Sequence, residues 1–184
     1  MPRYIALLRA INVGGHNVKM DRLRKLFEEL GFADVETFIA SGNVIFTSPN
    51  NDTRALEKKI EGHLKKSLEY EVATFIRTAA EIAKIAKYEP FPNEDIGTGS
   101  LYVTFLAEAP SKEAREKLEA FSNPVDEFHV HGRELYWLCR KQLSESRISG
   151  GMLEKAAGMA GTNRNVTTVR KLAARYSDDA DSAK

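Results

Sequence analysis

The sequence predicts an α+β protein of two subdomains, the first of them ferredoxin-like. Over residues 1–77, short segments of β-rich, apolar composition alternate with segments that repeat apolar residues every three or four positions. Their order is β-α-β-β-α-β, which is the order of the ferredoxin-like fold. A second set of elements follows from residue 78, and a loop with two prolines and two glycines lies just inside it. We expect the first subdomain to be an antiparallel sheet with both helices on one face.

Each element of the first subdomain follows from a local pattern. The opening strand is apolar apart from Arg9, and this character predicts a central position in the sheet. The first helix carries an apolar stripe and ends at Gly31, and the second repeats leucine or isoleucine at steps of four. A hairpin around Gly42 joins the two middle strands. The predicted strands cover residues 4–11, 35–40, 44–47 and 71–77. The first predicted helix begins near residue 20, and the second follows an N-cap offered by residues 50–52 and carries its apolar repeat from residue 56.

The second subdomain, residues 78–176, is predicted to be a smaller α+β unit with a hairpin and two C-terminal helices. Thr78 and Glu81 have capping-box spacing for a short helix, and Ser111 is a candidate N-cap for another. A glycine-first turn, Gly132-Arg133, predicts a two-residue hairpin loop. The expected strands are 101–106, 125–131 and 134–139, and the expected final helices are 151–160 and 166–176. The acidic residues 177–184 are expected to form a flexible tail.

The composition predicts a globular protein of the cytoplasm. Hydrophobic residues make up 42% of the chain and charged residues 29%, which is the ordinary range for a packed core. No uninterrupted apolar run exceeds five residues, which is too short to cross a bilayer. Arg9 ends the first such run, residues 4–8, so the N-terminal segment lacks the apolar stretch of a signal peptide. The single cysteine, Cys139, fits a reducing compartment. We expect no membrane partner, and the sequence does not determine the oligomeric state.

Basic residues are concentrated at the two ends of the chain. Residues 139–176 carry eight basic residues against two acidic ones, and residues 1–19 carry three basic residues and no acidic one. An anionic partner would therefore bind near the ends rather than near the acidic middle. The alternative is that basic helices simply face solvent, where lysine and arginine are common.

The loop after the first strand is the strongest candidate for ligand binding. Asn12 is followed by Gly14 and Gly15, and a helix begins a few residues later. Glycines allow a close backbone approach, and a helix start carries partial positive charge that favours an anion. The loop is neither a Walker loop nor a dinucleotide fingerprint. A glycine pair that only turns the chain is the structural alternative.

Two further polar motifs are weaker candidates. Ser41 and Asn43 flank Gly42 in the predicted hairpin, although Gly-Asn is common in turns for backbone reasons alone. Arg164 and Asn165 precede the last helix. Asn165 is a plausible N-cap, whereas an arginine at a helix start is unfavourable unless an anion compensates it.

A metal site is not expected. Glu127, His129 and His131 alternate along one strand and share a face, but no remote third ligand can be identified for zinc. Cys139 lies on the same face of the hairpin as Phe128 and Trp137, and buried cysteines usually only pack. We therefore expect no cofactor and no metal.

Several fragments together resemble a bacterial domain-of-unknown-function family, number 1697. The fragments cover residues 7–15, 41–46, 103–106 and 162–172. The resemblance implies a two-subdomain α+β protein with a ferredoxin-like first half, and it implies no reaction. The chain departs from the family at Ala10, where glycine is usual, and at Val166, where tryptophan is usual. Residues 140–146 lack the family's glycines ahead of the pair Ser146-Arg147, which weakens the case for a phosphate loop there.

The sequence favours a binding module for an anionic, phosphate-bearing small ligand. One alternative is an enzyme acting on a phosphorylated or acyl substrate, although only His16 lies near the candidate loops as a general base. Another is an RNA-binding or protein-interaction module; nucleic acid is less favoured because the aromatic RNA-binding signature is absent. The predicted ligand-binding residues are Arg9, Asn12, Gly14, Gly15, Ser41, Asn43, Ser146, Arg147, Arg164, Asn165 and Lys171.

Overall fold

The computed structural model of the chain describes residues 1–12, 15–39, 42–92 and 99–177. Within these ranges the strands are β1 (Arg3–Leu8), β2 (Ala33–Thr37), β3 (Asn43–Thr47), β4 (Thr74–Thr78), β5 (Ser100–Leu106), β6 (Asp126–His131), β7 (Glu134–Cys139) and β8 (Gly161–Asn165). The α-helices are α1 (Met20–Glu28), α2 (Thr53–Leu68), α3 (Ala79–Lys87), α4 (Lys112–Glu119), α5 (Gly150–Ala157) and α6 (Val166–Tyr176), and a short 3₁₀ helix covers Leu143–Glu145. None of these helices is both long and apolar enough to cross a membrane.

The first sheet has the predicted ferredoxin-like topology. Its strands follow the order β2-β3-β1-β4, and every neighbouring pair is antiparallel. The apolar first strand is central, with Ile5 opposite Ile45 on one side and opposite Arg77 on the other. Both helices pack on the sheet face that carries Tyr4, Ala6 and Leu8. The buried helix residues of this core are Leu23, Leu26, Phe27, Leu56, Ile60 and Leu64.

The second sheet repeats the topology of the first. Its strand order is β6-β7-β5-β8, and the chain order from β5 to β8 is again β-α-β-β-α-β. The α+β class, the hairpin and the final helices are as predicted, but the sequence did not indicate β8. Because β8 completes the sheet, the second half of the chain is a second ferredoxin-like arrangement rather than a simpler unit.

The chain divides into two compact units. The first contains Met1–Ile85 and the chain from Lys171 onward, and the second contains Ala86–Arg170. Both limits fall inside helices, one in α3 and one in α6. In the first unit, Tyr176 of α6 donates a hydrogen bond of 3.0 Å from its hydroxyl to Glu36 Oε2 of β2.

Several helix starts use the caps that the sequence indicates. Thr78 and Glu81 form the predicted capping box, since the backbone N–H of each donates to the side chain of the other, at 2.8 and 3.1 Å. Ser111 accepts from the Ala114 N–H at the start of α4, and Asp52 accepts from the Ala55 N–H at the start of α2. These bonds satisfy donors that the helix itself leaves open.

Candidate functional site

Two of the predicted ligand-binding segments meet at the end of β1. The Leu8 N–H donates to the Gly42 carbonyl oxygen at 2.9 Å, and the Arg9 N–H donates to the Ala73 carbonyl oxygen at 2.9 Å. The loop that leaves β1 therefore runs between the β2–β3 hairpin and the start of β4. We call the described part of this loop, residues 9–12 and 15–19, the β1–α1 loop.

The contact between these two segments requires a glycine. Gly42 has φ +80°, and a Cβ built on it would lie 2.9 Å from Ile11 Cγ2 and 3.1 Å from Leu8 Cβ. Both the left-handed backbone and the close approach exclude an ordinary side chain at this position. The glycine of the hairpin thus holds the β1–α1 loop against the end of the sheet.

Residues with left-handed backbone cluster in these segments. Ala10 has φ +53°, Gly15 has φ +85° and Ile39, in the adjacent hairpin, has φ +57°. For a β-branched residue such as isoleucine this conformation is a true outlier. Such strain costs about 1–3 kcal/mol per residue and is often found at ligand-binding sites.

Three side chains fix the shape of the β1–α1 loop. Asn12 Oδ1 accepts a hydrogen bond of 2.8 Å from the Val18 N–H, which closes the loop. The Tyr70 hydroxyl donates to the Ile11 carbonyl oxygen at 2.9 Å, and the His16 ring stacks on the Tyr70 ring with 3.8 Å between centroids. Burial raises the pKa of Tyr70, so this hydroxyl remains a donor well above neutral pH.

The β1–α1 loop contains basic residues and no acidic one. Arg9 is half-buried and Lys19 is exposed, and the first acidic residue of the chain is the exposed Asp21. Lys19 is the N-cap of α1, and among the described residues no side chain caps this helix start. The first-turn N–H groups of α1 therefore carry partial positive charge next to the cationic Lys19.

The other predicted residues of the first unit have different surroundings. Asn43 is completely buried, and its Nδ2 donates to the Phe38 carbonyl oxygen at 2.9 Å, so its amide supports the hairpin. Lys171 is exposed on α6. Gly14 and Ser41 lie outside the described residues.

The predicted residues of the second unit make local hydrogen bonds. Ser146 Oγ donates to the Asp126 carboxylate at 2.9 Å and accepts from the Ile148 N–H at 3.0 Å. Asn165 Oδ1 accepts from the Thr167 N–H at 2.9 Å near the start of α6, while Arg147 is exposed. Thus Ser146 and Asn165 support their own loops.

Arg164 belongs to β8 and is buried. Its Nη1 donates to Thr162 Oγ1 at 2.8 Å and to the Asn163 carbonyl oxygen at 2.9 Å, both on its own strand. Burial lowers the pKa of the guanidinium to about 10, so the group remains charged at neutral pH. The sequence placed Arg164 at the head of the last helix; it does lie two residues before α6, but it belongs to β8 and its side chain is buried.

A buried polar cluster in the second unit escaped the sequence analysis. The Asp126 carboxylate is 1% exposed and accepts from Trp137 Nε1 at 2.8 Å as well as from Ser146. Burial first, and then the nearby Asp126 carboxylate, raises the pKa of the Cys139 thiol. The hairpin register, which pairs Phe128 with Trp137, is the signal that could have placed Asp126 on the same face. Cys139 is therefore a packing residue, not an activated nucleophile.

The hairpin histidines contact an aromatic residue rather than forming a metal cluster. The Tyr88 hydroxyl and His129 Nε2 are 2.9 Å apart, and the Tyr88 and His131 rings stack with 4.1 Å between centroids. In the part of the chain that the structure describes, no three His, Cys, Asp or Glu side chains are grouped as metal ligands would be. As the sequence predicts, Phe128 and Trp137 are buried on the opposite face.

An edge strand of each sheet has its outward N–H groups occupied by side chains. On β4, the N–H groups of Thr74 and Ile76 donate to Glu61 and Glu57 at 2.9 and 3.0 Å. On β6, the Val130 N–H donates to Glu119 Oε1 at 3.1 Å. A partner that adds a strand to either edge would have to displace these carboxylates, which disfavours that mode of protein interaction.

Comparison with known proteins identifies the family. The profile of the family described as "Protein of unknown function (DUF1697)" matches residues 1–136. The chain belongs to this family. Among solved structures, a conserved bacterial protein from Streptococcus pneumoniae matches with a TM-score of 0.70 and 22% identity, covering 95% of this chain and 97% of that one. At this identity the likeness establishes the fold alone. No curated protein matches the chain.

The structure describes two of the residues at which we expect a departure from the family pattern. Ala10 has φ +53°, a conformation in which glycine would be free of strain. Val166 is 6% exposed at the start of α6. Alanine at position 10 therefore adopts the loop conformation at a cost in backbone energy.

Proposed function

We propose that this DUF1697 protein is a binding module for a phosphate-bearing small ligand, with the β1–α1 loop as the site of its anionic group. One observation carries the proposal: an acid-free loop with Arg9 and Lys19 leads into a helix start that no described side chain caps. Open N–H groups, the helix dipole and two cations all favour an anion at this place.

Different residues would contribute in different ways. The first-turn N–H groups of α1 would donate to phosphate oxygens, and the exposed Lys19 would supply charge next to them. Arg9 could add paired hydrogen bonds from its guanidinium, the geometry that suits a phosphate. Asn12 and Gly42 would act through the loop conformation, since the first closes the loop and the second holds it against the sheet.

The second unit contributes less to the proposal. Ser146 and Asn165 are engaged in their own turns, and Arg164 is buried on its strand. Arg147 of this unit and Lys171 of the first unit are exposed cations, and we retain them only as secondary candidates for attracting an anion.

A thermal-shift experiment at constant ionic strength tests the proposal. Inorganic phosphate, pyrophosphate and AMP should raise the melting temperature of the wild type, because a ligand that binds only the folded state stabilises it. Lys19→Gln should lose most of this rise. Lys25→Gln is the matched control, since Lys25 is an exposed lysine in the last turn of the same helix.

The result that would refute the proposal is equally specific. If none of the three anions raises the melting temperature, or if Lys19→Gln and Lys25→Gln respond alike, the loop is not the anion site. A short RNA that stabilises the protein where phosphate and AMP do not would favour the nucleic-acid alternative instead.

A further inference from the structure

One cavity in the second unit is lined, among the described residues, by none of those proposed above for the anion site. It has a volume of about 200 Å³. Leu101 of β5 and Leu138 of β7 line it from the sheet, and both are buried. The segment 88–92, which follows α3, lines it as well and contributes Tyr88 and Phe91. Six of the eight described lining residues are apolar or aromatic, and the other two, Glu89 and Arg170, are charged.

The Tyr88 side of the cavity is held in place by the hairpin. The Tyr88 ring is stacked on His131, with 4.1 Å between centroids and 13° between planes, and its hydroxyl lies 2.9 Å from His129 Nε2. On its other side His129 faces Glu119, with Nδ1 3.8 Å from Oε1. A wall fixed in this way needs little ordering when a ligand binds, which lowers the entropic cost of binding.

The charges that line the cavity restrict its ligand. Arg170 lines it and is exposed, and among the described residues its guanidinium forms no hydrogen bond or ion pair. Glu89 also lines the cavity. A single carboxylate could pair with the guanidinium, whereas a polyanion such as a nucleotide phosphate would be repelled by Glu89.

We propose that this cavity binds a small carboxylate with an apolar body. The apolar body would lie against Leu101, Leu138 and Phe91, and its carboxylate would pair with Arg170. The volume is below the range of about 300–1,000 Å³ typical of sites for drug-sized ligands, so a molecule the size of benzoate fits the space. This site is in the second unit and does not depend on the anion site proposed for the first.

An NMR titration of the full chain with three aromatic probes of similar shape, benzoate, benzylamine and benzyl alcohol, tests the inference. Benzoate should give saturable shifts at Tyr88, Leu101 and Leu138, and benzylamine should bind about tenfold more weakly or not at all, because its charge is opposite. Arg170→Gln should weaken benzoate binding about tenfold while leaving the weak binding of benzyl alcohol unchanged. Arg115→Gln is the control, because Arg115 is an exposed arginine of α4 that does not line the cavity.

Two outcomes would overturn the inference. One is the absence of saturable shifts at the three residues up to the solubility limit of benzoate. The other is an equal response to benzoate in wild type and Arg170→Gln. Either outcome would leave the phosphate experiment on Lys19 unaffected, since that experiment reads a different unit of the chain.

Discussion

The Leu8 N–H donates a 2.9 Å hydrogen bond to the carbonyl oxygen of Gly42, and this bond joins the end of β1 to the hairpin between β2 and β3. The two segments that the sequence singled out as polar loops are therefore neighbours in the first unit. Their proximity depends on a glycine that Ile11 and Leu8 approach closely. Substitutions at this junction should consequently affect stability more than substitutions at exposed neighbouring positions.

Gly42→Ala should destabilise the protein by about 1–3 kcal/mol, because the new Cβ would meet Ile11 Cγ2 at 2.9 Å on a backbone with φ +80°. Gly62→Ala is the control. Gly62 lies in α2, where an added Cβ would have nothing within 4 Å, so this substitution should stabilise by about 0.5–1 kcal/mol. Urea unfolding of both variants checks the pair, and equal free energies of unfolding would contradict the close contact.

Ala10→Gly should stabilise the protein by about 0.5–1 kcal/mol. The left-handed conformation costs alanine about 1–2 kcal/mol, and the greater freedom of glycine in the unfolded chain offsets part of the gain. Ala55→Gly, at an exposed position of α2, should instead lose about 1 kcal/mol. A loss of stability in Ala10→Gly similar to that in Ala55→Gly would show that residue 10 is not left-handed in solution.

Trp137→Phe should cost about 1–3 kcal/mol, because it removes the Nε1–H that donates to the buried Asp126 carboxylate while keeping an aromatic ring in the core. Tyr102→Phe is the comparison. Tyr102 packs beside Trp137 with 5.8 Å between ring centroids, and loss of its hydroxyl should cost less than about 0.5 kcal/mol. If chemical denaturation gives the two variants the same stability, the hydrogen bond to Asp126 contributes nothing.

Tyr176 should make stability fall in alkaline solution. Burial and then the hydrogen bond to Glu36 raise the pKa of its hydroxyl to about 12 in the folded protein, against about 10 in the unfolded chain. The folded state therefore holds the proton more tightly, so this contribution is complete below pH 10 and is lost as the pH rises towards 12. The free-energy difference between wild type and Tyr176→Phe should shrink across that interval, and a constant difference would contradict the raised pKa.

The first sheet and the two helices that pack on it could be predicted from the sequence because its patterns and its topology agree. The apolar run of β1 is buried on both faces of the sheet. Each helix buries one side, α1 through Leu23 and Phe27 and α2 through apolar residues at every fourth position. The capping box of Thr78 and Glu81 could be read directly, because it depends on side chains only three residues apart. Local chemistry and burial thus determine most of this part of the first unit.

The duplication of the fold could not be predicted, because it depends on β8. That strand reads Gly-Thr-Asn-Arg-Asn, and asparagine and glycine are depleted in strands. It forms through pairing with β5, where a Cβ on Gly161 would lie 2.8 Å from Thr104 Cγ2. A strand that forms only through pairing with a distant strand cannot be recognised from its own residues.

The sequence identified which candidate positions carry polar side chains, but it did not show how those side chains are buried or hydrogen-bonded. Asn43 and Ser146 were chosen for their polar side chains, and both make hydrogen bonds that stabilise their own loops. Arg164 was chosen as a cation at a helix start, and its burial follows from its position on β8 opposite Val103. Sequence alone does not reveal which polar groups the fold already uses.

The most direct test of the anion site is a titration of the amide resonances with inorganic phosphate. We expect saturable shifts at Gly15, Met20 and Asp21, where the β1–α1 loop meets the uncapped start of α1. The amide of Thr167, which already donates to Asn165 near the start of α6, should not respond. Saturable shifts at Thr167 and Arg147 with none at Met20, or no saturable shift at all, would contradict the account.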